Sequence, residues 1–177
     1  MRRLAWRILT LLAFALPPSH VLAQTPAEQA IRLTNQGDVE GGIRVLNQRL
    51  ETNAKDVDAI MKVYVPDASL VVFDVVPPRQ YLGADAYRKD WQDFFALFKG
   101  PVKFRITDLD IEATGPLGYS HSIQHVSGTD MKDQPIELVV RVTDVYRKVD
   151  GNWLIAHEHV SVPVDVTTGK PDLMSKP

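Results

Sequence analysis

Val39, Ile43, Leu46 and Leu50 recur at steps of 4, 3 and 4 residues, the spacing of one helical face. Gly41 and Gly42 sit inside that helix and weaken it by ~1 kcal/mol each relative to alanine. A short second helix follows Asp56, with Val57, Ile60, Met61 and Tyr64 on one side. Pro66-Asp67 turns the chain, and residues 69–75 are β-branched and aromatic, which predicts a strand that Pro77-Pro78 stops. Tyr87, Trp91, Phe94, Phe95 and Phe98 form an aromatic stripe at helical spacing and predict a helix over 84–99, closed by Gly100-Pro101.

From Val102 onward the period changes to two. Val102, Phe104 and Ile106 share one face, and Leu109 and Ile111 continue on the opposite parity, so a bulge near Thr107-Asp108 is expected to reset the phase. Tyr119, His121, Ile123 and His125 alternate with Ser120, Ser122 and Gln124 along the next strand. Residues 136–149 and 153–162 are long strands joined at Asp150-Gly151, and 164–177 reads as an extended tail. Helices first and a strand meander afterwards make an α+β protein with an antiparallel sheet. A sheet covered by helices on one face leaves its other face for solvent or a partner.

The first residues bear on compartment. Arg2, Arg3 and Arg7 precede the apolar run 8–16, and Val21-Leu22-Ala23 offers a small-residue cleavage site before Gln24. That layout predicts a signal peptide over 1–23, cleaved after Ala23, and a secreted or periplasmic protein. The run is about half the ~20 apolar residues that a membrane span needs, so no membrane association is expected after cleavage. Residues 24–37 read as a flexible lead-in and 38–163 as one domain. The chain has no cysteine, hence no disulfide and no lipid anchor on cysteine. Losing Arg2, Arg3 and Arg7 moves the net charge from −2 to −5, a poor match for nucleic acid.

Two stretches carry a family resemblance. Asn53-Ala54, Asp56-Val57-Asp58 and Ile60, leading into Pro66-Asp67-Ala68-Ser69, resemble the start of ketosteroid-isomerase-like domains. The run from Arg141 to Lys148, with Asp150-Gly151, Trp153, His157, His159 and Ser161, resembles the end of SnoaL-like domains of the nuclear-transport-factor-2-like superfamily. The resemblance covers roughly Asp38 to Pro163. It implies a conical cup, a strongly bent antiparallel sheet wrapped around about three helices, with a pocket at the wide end. It also implies frequent homodimers, no metal and no organic cofactor.

The facing of side chains hinges on the last turn. A type I turn with Gly151 as left-handed bulge residue sets Asp144 opposite Ala156 and Val142 opposite Glu158. Val142, Asp144, Tyr146, Leu154, Ala156, Glu158 and Val160 then share one face, and Arg141, Thr143, Val145, Trp153, Ile155, His157, His159 and Ser161 the other. A two-residue Asp150-Gly151 turn slips the register by one and mixes the sets. The resemblance selects the first phase, with the Asp144 face inside the cup. In ketosteroid isomerases the position resembling Asp144 is a protonated aspartic acid that donates to an oxyanion. Asp74 falls where those enzymes carry their general base, and Trp91 where they have a pocket aromatic. Gln48 stands in place of their helical tyrosine, which puts steroid isomerisation by that arrangement in doubt.

The catalytic candidates are therefore Asp74, Asp144, Glu158 and His121. Trp91, His125 and Tyr146 are candidates for binding substrate. Carboxyl groups crowded in an apolar cup have raised pKa values, which suits proton transfer beside a carbonyl. His157 and His159 share a strand face but lack further ligands at a workable spacing, so no metal site is expected. With Trp153 and Arg141 they form the expected dimer face. The functions left open are an isomerase, dehydratase or cyclase-like acid–base enzyme on a small, largely apolar molecule, a non-catalytic pocket, and a dimeric assembly module.

Overall fold

The computed structural model describes residues 39–52 and 55–174. The expected signal peptide and lead-in lie outside the described residues. Three helices, α1 (Val39–Thr52), α2 (Val57–Met61) and α3 (Ala84–Ala96), pack with six strands: β1 (Val71–Phe73), β2 (Tyr81–Leu82), β3 (Lys103–Thr114), β4 (Leu117–Thr129), β5 (Pro135–Val149) and β6 (Asn152–Ser161). The strands form one open sheet in the order β2-β1-β6-β5-β4-β3. The expected α+β cone is present, with one change: the sheet is mixed, because β1 runs parallel to β6, pairing Val72 with Glu158. That geometry follows from the connection. Val63 to Val65 already hydrogen-bonds both sides of Ile155, so the chain enters β1 alongside β6 instead of from a hairpin.

The bulge near Thr107 is present. Asp108 has φ 52°, and the register jumps between Thr107 opposite Ile123 and Asp110 opposite His121. The extra residue restores the inward facing of Ile111, which is buried with Val102 at the other end of the strand. Such bulges bend the strand and help the sheet curl. Gly128 permits the tightest closure of this curl, since a Cβ there would stand 2.6 Å from the Phe98 ring.

The last hairpin departs from the expected turn. Asp150 and Gly151 have φ 49° and 84°, a two-residue turn with both central residues left-handed, and Val149 faces Asn152. Near the turn the slipped register therefore holds, with Tyr146 opposite Ile155. A second bulge at Ala156 then resets it, so that Val145 faces His157 and Asp144 faces Glu158. Asp144 does not sit opposite Ala156. The expected inner position of Leu154 and Ala156 is corrected as well: Trp153 and Ile155 point into the core, 3% and 2% exposed. They are unavailable to a dimer face. Ile155→Val should accordingly cost about 1 kcal/mol of stability, the usual range for a lost buried methyl. An unchanged denaturation midpoint would place Ile155 outside the core after all.

Residues 162–174, after β6, are folded, not extended. Asp165 accepts backbone hydrogen bonds from Thr167 and Thr168, Val164 bridges to Pro171, and the carbonyl of Leu173 receives the Val139 amide at 2.8 Å. This segment thus occupies the edge of β5 beyond the end of its pairing with β6.

Candidate functional site

The parallel register places Val72 and Glu158 on one inner face, and the two-residue period puts Asp74 on that face too. Both carboxyl groups line a cavity of about 400 Å³. Its wall on the helical side comes from α3, where Tyr87, Asp90, Trp91 and Phe94 recur at helical spacing. Phe104, Gln124, Val126, Leu138, Val140 and Val160 supply the sheet side, and Val75, Val76 and Leu97 form a half-exposed apolar rim. The aromatic stripe splits between two tasks. Phe95 stacks on Trp91 at 5.4 Å between centroids within the core, while Trp91 and Phe94 also face the cavity.

Glu158 is 3% exposed and held from two sides. The Tyr64 hydroxyl donates to its Oε2 at 2.7 Å, and the Tyr87 hydroxyl donates to its Oε1. The rings of Tyr64 and Tyr87 meet edge to face. Asp144 lies directly across the β5–β6 ladder, 1% exposed, and accepts from the Tyr146 hydroxyl at 3.2 Å. Tyr146 is a hub: Asn47 Nδ2 donates to its hydroxyl at 2.7 Å, and the hydroxyl lies 3.0 Å from Ser120 Oγ. With Tyr146 donating to Asp144, Ser120 is left to donate to Tyr146.

Burial raises the pKa of both Asp144 and Glu158, and their mutual interaction couples them. Asp144 Oδ1 has no hydrogen-bond donor while both groups are ionised. One proton held between the pair supplies that donor and removes one buried charge, so the pair keeps a proton near neutral pH. Asp74 is half-buried. Loss of hydration, then the Asp90 and Glu158 carboxylates, push it up to about 7. Asp90 is also raised, first by burial, with Tyr81 beside it.

The sites read from sequence divide. Asp74, Glu158 and Trp91 line the cavity together. Asp144 and Tyr146 stand behind Glu158 and support it without lining the cavity. His121 and His125 are on the outer face, a correction. Ser120, Ser122 and Gln124 are buried while His121 is exposed, 3.5 Å from Asp110. The physical reason lies at Gly118, where a Cβ would stand 3.3 Å from Ile43 of α1. Only the parity carrying Gly118 and small Ser120 fits beneath the helix. Gln48 is exposed, and from α1 Asn47 reaches the polar cluster. His157 faces outward and contacts the Val71 carbonyl through Nδ1 at 2.8 Å. Tyr64, Tyr87, Asp90 and Gln124 belong to the site without standing among the residues expected from the sequence. For Tyr87 the signal was its place one turn before Trp91. Among the described residues no group of three or more His, Asp or Glu side chains is placed to hold a metal ion. No helix among them is long and apolar enough to cross a membrane.

A SnoaL-like domain family matches residues 46–165, about two thirds of the chain. The chain belongs to the SnoaL-like family. An NTF2-like protein of unknown function from Pseudomonas putida KT2440 is 29% identical with a TM-score of 0.70, covering 80% of this chain and 98% of that one. An NTF2-like superfamily protein from Salmonella enterica serovar Typhimurium LT2 is 14% identical with a TM-score of 0.63, covering 80% and 99%. The association domain of C. elegans CaMKII shares the fold at 15% identity and a TM-score of 0.52, covering 72% and 95%. No curated protein matches. In this SnoaL-like domain the row Ser120–Asp144–Glu158–Val72 crosses four strands, so the polar cluster is anchored by the sheet ladder itself.

Proposed function

We propose that this SnoaL-like domain is exported and binds a small, largely apolar molecule, on which Asp74 and the Glu158–Asp144 pair perform cofactor-independent acid–base chemistry of the isomerase, dehydratase or cyclase type. The observation that carries the reading is the pairing of carboxyl groups around one aromatic-lined cavity. Asp74, with a pKa near neutrality, is partly ionised and serves as base. Glu158 shares its proton with Asp144 and faces the same space, where it serves as the donor to oxygen that gains charge. Tyr64 and Tyr87 fix its rotamer. Trp91 packs against the molecule. The basic, apolar and small-residue pattern of residues 1–23 supports export.

Incubation with neutral aryl and cyclic ketones in deuterium oxide tests this, with loss of the α-proton followed by NMR. Exchange should exceed the buffer rate and fall by about 10²–10⁴-fold in Asp74→Asn, the span of general acid–base contributions. Binding without exchange would favour a non-catalytic pocket. Equal rates for the parent protein and Asp74→Asn would remove Asp74 from the chemistry.

The proposed homodimer contact uses the outer sheet face. Arg141, Thr143 and His159 are exposed there, and Phe73 lies edge-on to His157 and His159.

A further inference from the structure

Four acidic side chains line the cavity: Asp74, Asp90, Asp93 and Glu158. Among the described residues no Lys, Arg or His lines it with them. Asp93 is compensated from outside by Lys89 at 2.6 Å, one turn back on α3. Among the described residues neither Asp74 nor Asp90 has such a partner. The two stand on different elements, the end of β1 and the inner face of α3, and both line the same cavity, where the Asp90 carboxylate adds to the rise in the Asp74 pKa. Between them and the sheet lie aromatic faces, with Trp91, Phe94 and Phe104 in mutual contact.

A second observation points to a ligand. Trp91 is 8% exposed and lines the cavity, yet its indole Nε1 has no hydrogen-bond partner, and Gln124, 6% exposed, brings a carboxamide to the same cavity. Buried polar groups are ordinarily satisfied. The carboxamide adds a donor and an acceptor on the sheet wall.

We infer that the cavity selects a compact aromatic or alicyclic molecule carrying one protonated amine. The inference rests on the pocket reading above and narrows it. An ammonium between Asp74 and Asp90 supplies the missing countercharge and can lie over an aromatic face. The apolar body fills the Trp91 side, and a polar substituent reaches Gln124. An anionic ligand meets only repulsion and finds no cation to receive it. A bound ammonium also keeps Asp74 ionised, the state in which it accepts a proton.

Calorimetric titration of the purified protein with phenethylamine, phenethyl alcohol and phenylacetate separates the possibilities. The amine should bind at least about tenfold tighter than the alcohol, the ratio produced by one modest charge contact, and phenylacetate should not bind. Asp74→Asn and Asp90→Asn should each bring the amine towards the affinity of the alcohol. Alcohol binding as tight as amine binding would overturn the charge selection while leaving the pocket reading in place. Amine affinity unchanged in both variants would overturn it too, since the cation would then sit elsewhere. Failure of all three probes to bind, with the Gln124 side-chain NMR signals unmoved, would overturn this inference and the pocket reading together.

Discussion

Glu158→Ala is expected to destabilise the protein by about 3–5 kcal/mol, the cost of breaking a buried charged network by deleting one member. The variant strands three groups at once. The Tyr64 and Tyr87 hydroxyls lose their acceptor, and the Asp144 carboxyl loses the partner that shares its proton. Tyr64 and Asp144 are buried and do not line the cavity, so water does not replace their lost bonds without opening the core, whereas Tyr87 borders the cavity. Glu158→Gln keeps one acceptor and the side-chain volume, and should cost roughly 1–2 kcal/mol. Denaturant titration of the two variants beside the parent protein measures the difference. A loss under about 1 kcal/mol for the alanine variant would mean that the tyrosines find other partners.

Stability should also fall as the solution becomes less acidic. Asp74, Asp144 and Glu158 all have folded-state pKa values above their ordinary ones, chiefly through lost hydration. Between the ordinary carboxylate range and neutrality the unfolded chain has released these protons and the native protein still holds them. The native state then binds more protons, so unfolding free energy decreases with rising pH. The contribution is fully present below about pH 4 and is lost as pH climbs through the raised values, which for Asp74 means about 7. Opposing terms act on exposed Asp67 and Asp165, whose pKa values are lowered by local hydrogen bonds. They strengthen stability as pH rises from the acid side, below the window in question. From pH 5 to pH 8 the net loss should be on the order of 2 kcal/mol, with Asp74→Asn flattening the curve. Denaturation midpoints that rise from pH 5 to pH 8 would show that the buried carboxyls are ionised in the native protein.

The architecture was legible because its signals are long and redundant. The stripe from Tyr87 to Phe98 tolerates an error of several residues at either end, and the helix still exists. Strand facing has no such redundancy. On β4 both parities carry polar side chains, so Tyr119, His121 and Ile123 competed on equal terms with Ser120, Ser122 and Gln124. The choice between them was made by the space under α1 at Gly118, a tertiary fact. In the last hairpin the Asp-Gly pair signalled a turn but not which one. The register also changes twice, at the turn and at Ala156, so the inner positions of Asp144 and Glu158 agreed with expectation while those of Trp153 and Ile155 did not. Asp74 was reachable through the family resemblance, which puts a general base at the end of the first strand. The tyrosines that hold Glu158 are 94 and 71 residues from it in sequence, and no local pattern links them.

The extra residue at Ala156 has a bearing on how this hairpin tolerates insertions and deletions. It separates the phase of the turn from the phase of the acid row. One residue added between Val149 and Asn152, with Ala156 removed, leaves the count from Asp144 to Glu158 unchanged, and the two carboxyls stay opposed. An insertion at the turn alone must instead be absorbed elsewhere, or it carries His157 inward and Glu158 outward. Length change in this loop is therefore coupled to a site several residues away, and a graft that exchanges the turn without regard to the bulge would exchange the faces of the strand.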